Sequence, residues 1–139
     1  MKRIIPSLFT MTLLISSLAS AQGQEIEKGD KGGIDTKFVL VAGSLVASTV
    51  FDTEITFAAI NNPEIRVREG NPVMRPFVNT GRPATYAFLG GVDAGIVYVS
   101  YRMKKSTNPA IRKLWWVVPV AAMSGHAFAG GFNLRFTFR

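Results

Sequence analysis

Three ionisable residues, Asp52, Asp93 and His126, each sit inside a separate apolar stretch of this 139-residue chain. Two carboxylates and an imidazole can do three kinds of work. Carboxylate oxygen and imidazole nitrogen together could hold a divalent metal such as zinc, manganese or iron. Histidine titrates near neutral pH, so the group could pass protons. A buried Asp–His hydrogen bond could also simply lock helices in register. Glu69 and Asn71, in the loop between the first two stretches, could fold back and add a carboxylate and an amide. Thr53, Thr56 and Asn133 complete the polar set. The sequence leaves these readings open.

The apolar stretches that must position these groups run over about 38–60, 84–103 and 114–134. Each is near the 20 residues that a helix needs to cross a bilayer. An ionisable group inside such a stretch is costly and so has a partner or a function. Asn61-Asn62-Pro63 stops the first stretch and Pro83 starts the second. If the stretches cross in alternation, all three ionisable groups lie about 12–14 Å from the face bearing the 64–82 loop, at 1.5 Å per residue. Ser44, Ser48, Asp52 and Thr56 are four apart and share a helix face. Tyr86, Asp93 and Ser100 form a second stripe, and His126 with Asn133 a third. Glu54 falls about 200° around from Asp52, so it could turn to a second interface, reach a neighbouring subunit or be protonated. Its protonation is not legible. The expected fold is an all-α, small transmembrane helical bundle with three mature spans.

The first 21 residues read as a signal peptide: Lys2 and Arg3, an apolar run, then Ala19-Ser20-Ala21 as a cleavage site. Residues 22–37 form a polar, glycine-containing tail. The 64–82 loop is rich in Arg and Pro, and Pro72, Pro76 and Pro83 forbid a long helix there. Gly91-x-x-x-Gly95, with Gly90 and Ala94 beside it, offers a small-residue face for close helix packing. Trp115 and Trp116 suit a membrane interface. Lysines and arginines divide evenly between the two faces, so the positive-inside rule does not choose an orientation.

Composition agrees with membrane residence. Apolar residues make up 47% of the chain and charged residues 18%, against about 25% charged in soluble domains. The net charge of +7 comes from basic residues that punctuate apolar runs, which argues against nucleic acid as a partner. The lipid bilayer is the expected partner, with a second copy or another membrane protein beside it. There is no cysteine, hence no thiolate ligand and no cysteine nucleophile. The Walker, dinucleotide-binding, His-Glu-x-x-His and Gly-x-Ser-x-Gly motifs are missing from the sequence. Ser124 lies two residues from His126 and points elsewhere on a helix, which argues against a serine hydrolase and, with the rest, against an enzyme. Outer-membrane β-structure is disfavoured, because the apolar runs are continuous rather than alternating.

Three short motifs resemble those of a group of small bacterial membrane proteins without an established activity. They are Asp52 with Thr53 and Thr56, then Glu69-x-Asn71-Pro72-x-Met74, then Asn133-x-Arg135. The resemblance covers about 38–135 and implies an integral membrane helical bundle; the expected location of the chain is the bacterial inner membrane, as a multi-pass protein. Phe132, where a polar residue would be unsurprising, departs from it, and the signal-like start is no part of it.

Overall fold

Asp35 begins the first helix by accepting a hydrogen bond from the Phe38 N–H at 2.9 Å, the side-chain cap that an exposed helix start needs. The structure, a computed structural model, describes residues 33–65 and 67–137. The signal peptide expected over 1–21 and most of the tail expected over 22–37 lie outside the described residues. Within them the fold is all-helical: α1 (Thr36–Ile60), α2 (Arg75–Thr80), α3 (Arg82–Lys104), α4 (Pro109–Lys113) and α5 (Val117–Thr137). No strand occurs among the described residues.

Local chemistry sets the boundaries. α1 runs out at Asn61-Asn62-Pro63, and Asn62 Nδ2 donates to the Phe136 carbonyl at 3.1 Å, tying the ends of α1 and α5 together. A short helix forms inside the proline-rich loop because Pro76 occupies its first turn, where the missing N–H has no partner to lose. Gly81, at φ 113°, ends α2 and starts α3 in one residue, a backbone state that side chains resist. Asn108 caps α4 by accepting from the Ala110 N–H at 2.9 Å. Pro119 falls in the first turn of α5, where it is tolerated.

α1 presents two adjacent facets. One carries Leu45, Thr49, Thr53 and Phe57, all buried, and packs with the buried Thr85, Leu89, Asp93, Ser100 and Lys104 of α3. These helices are antiparallel: Glu54 meets Tyr86, and Phe38 meets Tyr101. The other facet, with Asp52 and Thr56, makes the largest helix–helix contact of the fold, with α5. α1 and α5 run parallel, since Phe38 meets Trp115 and Asn62 meets Phe136. Gly130 permits the contact. A Cβ there would stand 2.6 Å from the Phe51 ring and 3.0 Å from the Asp52 Cα. The expected close approach at Gly91 and Gly95 is not made among the described residues, where a Cβ at either would meet nothing within 4 Å.

α1 is long and apolar enough to cross a membrane, and only 22% of its most apolar 18-residue stretch is buried. A soluble core helix would be mostly covered. Among the described residues it is the one helix that qualifies by length and composition. Asp93 with flanking Arg and Lys dilutes α3, and His126, Asn133 and several small residues dilute α5.

Candidate functional site

Asp52 and His126 meet where α5 comes closest to α1. His126 Nδ1 and Asp52 Oδ2 are 2.9 Å apart, with both side chains about four-fifths covered. A hydrogen bond at this distance needs one proton, carried by Nδ1 or by the carboxyl. One turn further, Asn133 Nδ2 donates to Thr56 Oγ1 at 3.0 Å. His126, Gly130 and Asn133 follow at spacings of four and three, so the glycine that brings the backbones together lies between the two polar contacts.

A cleft of about 130 Å³ opens beside this interface. Asp52, Thr53 and Thr56 line it from α1 and Asn133 from α5, while Glu69, Asn71 and Met74 reach it from the loop. Glu69 Oε1 accepts from the Asn71 N–H at 2.7 Å, and Asn71 Oδ1 accepts from the Val73 N–H at 3.0 Å. The loop therefore folds on itself as it covers the cleft. Arg75 Nε donates to the Glu69 carbonyl at 3.2 Å and fixes the loop to α2. Stacked Phe77 and Phe88 rings, 4.0 Å apart, fix α2 to α3.

Asp93 stands apart from the Asp52–His126 bond. It is 5% exposed and its Oδ1 has no hydrogen-bond partner. The contacts Glu54–Tyr86 and Phe38–Tyr101 set the α1–α3 register and put Asp93 opposite the region of Ala47. Asp93 makes no hydrogen bond to Asp52 or His126, yet its charge is near enough to act on the imidazole. Thr49 Oγ1 and Ser100 Oγ are likewise buried without a partner. Among the described residues, no three His, Cys, Asp or Glu side chains converge closely enough to hold a metal ion.

Two further networks complete the picture. Glu54 accepts from Arg82 Nε at 3.1 Å and from the Tyr86 hydroxyl at 2.8 Å, which settles the second interface expected for it. Tyr86 thus serves Glu54 rather than a stripe with Asp93. At the far end of the bundle, Lys104 forms an ion pair with Asp35 and lies over the Trp115 and Phe38 rings, 4.9 and 5.6 Å from their centroids. The hydrogen bond from Lys104 is the first cause, and the Phe38 N–H the second, holding the Asp35 carboxyl below its ordinary 3.8. Sequence spacing did not expose this cluster, although Asp35 and Lys104 flank the ends of adjacent apolar runs.

No protein-family model, curated protein or solved structure matches the chain.

Proposed function

We propose that this chain is a three-span helical protein of the bacterial inner membrane in which Asp52 and His126 act as an acid–base pair on a polar cleft. The carrying observation is the 2.9 Å bond between them at the wall of that cleft. Uncovered apolar side chains support the membrane placement: Val39, Leu40, Val46 and Val50 on α1, and Phe128 and Phe132 on α5, are exposed. In water such a surface would be a liability. The likeness to small bacterial membrane proteins and the delivery by a signal peptide belong to the same proposal. Proton exchange is favoured over metal binding because, among the described residues, the third ligand that a metal would need is not beside the pair.

His126 is the single histidine of the chain, so ¹⁵N-histidine labelling of the full chain yields one imidazole to follow by NMR. Its titration midpoint is expected to move on Asp52→Asn, and by less on Asp93→Asn, which has no hydrogen bond to the ring. An imidazole indifferent to Asp52→Asn would remove the pair from the mechanism. Stoichiometric zinc or manganese on the purified wild type, lost in His126→Ala, would restore the metal reading.

A second reading is an assembly subunit. Gly90, Gly91 and Gly95 leave an open strip on α3 with no neighbour in the chain, the surface another membrane helix would need. Gly91→Leu should then disrupt a complex isolated in mild detergent.

A further inference from the structure

We propose that the cleft is a one-ended binding site for a small ammonium-type cation, entered from the 64–82 loop and sealed at its inner end. This rests on reading the cleft as the functional site and adds its substrate class.

The lining decides the charge. Asp52 and Glu69 bring carboxylates, while Thr56, Asn71 and Asn133 bring hydroxyl and amide groups. Among the described residues no Lys, Arg or His side chain lines the cleft. Near the rim, Arg82 is paired with Glu54, and Arg75, exposed and outside the lining, donates to the Glu69 carbonyl. His126 lies behind Asp52 and carries at most the charge that Asp52 answers. Glu69 then remains as a carboxylate at the mouth with no ion-pair partner among the described residues.

Volume decides the size. About 130 Å³ corresponds to roughly four waters at about 30 Å³ each. Ammonium or a short alkylammonium fits, and a drug-sized ligand, which needs at least about 300 Å³, does not. Phe57, Met74 and Leu89 supply apolar walls for a short alkyl group.

The inner end decides the access. Beyond Leu45, which is fully buried, Phe38, Val97, Ser100, Trp115 and Pro119 surround a second gap that has no room for a water. Its lining is apolar but for the buried Ser100 hydroxyl. A charged solute in the cleft therefore has one way out.

The chain has no cysteine, so single cysteines report access directly. Ala129→Cys places a thiol in the cleft wall without touching a polar group, and Ser100→Cys places a near-isosteric thiol beyond the seal. The full-length protein in mild detergent is treated with two small methanethiosulfonates, one carrying a primary ethylammonium and one carrying ethylsulfonate. Rates are normalised to free cysteine. Ala129→Cys is expected to prefer the cationic reagent by about tenfold or more, as for a cleft of one charge sign. Glu69→Gln should reduce that preference, and ethylammonium chloride should slow the reaction more than sodium chloride of equal ionic strength. Ser100→Cys should react with neither reagent. Should Ala129→Cys misfold, Asn71→Cys at the mouth is read for the same charge preference. Equal rates with both reagents, or no reaction at the cleft position, would overturn the cation assignment. A reactive Ser100→Cys would overturn the sealed end. An imidazole unmoved by Asp52→Asn together with intact charge selectivity would sink the acid–base reading and leave this one standing.

Discussion

The two ends of the helical bundle handle charge in opposite ways. At the 64–82 end, Asp52, Glu69 and the amides of Asn71 and Asn133 surround open space. At the other end, Lys104 is almost fully covered, held between the Trp115 and Phe38 rings and an Asp35 carboxylate. The first arrangement leaves charge available to a solute, and the second uses charge up in packing. Burial alone does not mark a functional group. Lys104 is more buried than Asp52, yet its neighbours already answer its charge, whereas Asp52 has a histidine on one side and a cleft on the other.

Changes at the α1–α5 contact should break this contrast most sharply. Gly130→Ala forces the added carbon into the Phe51 ring and against the Asp52 backbone. A loss of about 1–3 kcal/mol is expected from overpacking, read by denaturant unfolding in mild detergent. Gly91→Ala, on the open strip, should instead be neutral or stabilise by about 0.5–1 kcal/mol through helix propensity. If the two glycines behaved alike, the packing asymmetry would be wrong.

His126→Ala comes next. It leaves the Asp52 carboxylate without its partner in a mostly covered position, at a cost of about 1–3 kcal/mol. The same unfolding assay checks it, and Asp52→Asn should cost less because an amide can still bond the imidazole.

The smallest effect belongs to the far end and is best seen as a pH dependence. The folded-state pKa of Asp35 is depressed, so its contribution is present above the ordinary 3.8 and fades as pH falls through the lower folded value. Asp35→Ala should flatten the melting temperature in that acidic window while leaving its slope near neutral pH unchanged. An unaltered acidic slope would mean that the Lys104 contact contributes nothing to stability.

Much of the helical layout was legible in the sequence. Apolar runs over 38–60, 84–103 and 114–134 correspond to helices at Thr36–Ile60, Arg82–Lys104 and Val117–Thr137. Polar residues extend the first two helices past their apolar runs, which is why Asp35 and Arg82 lie at the edges, whereas Leu114, Trp115 and Trp116 form a turn and the last helix begins only at Val117. The Asp52–His126 and Thr56–Asn133 pairs follow from stripes at helical spacing. The stripes do not report how far antiparallel helices slide past one another, so they leave the partner of Asp93 open. The Glu54–Arg82–Tyr86 network was hidden for a similar reason: Arg82 reads as a loop residue until α3 is seen to begin with it. α2 escaped notice because proline signals a break, and only the turn it occupies shows whether any hydrogen bond is lost.

Asp52 and His126 are 74 residues apart in the chain, on helices that run parallel and are joined only through α3. During synthesis the first helix is therefore made, and its carboxylate committed to its surroundings, long before the imidazole exists. Until α5 arrives, an α1–α3 hairpin carries an aspartate with no histidine to meet it. The order of manufacture makes the last helix the one that completes the first, and a chain cut before residue 126 would leave that carboxylate permanently single.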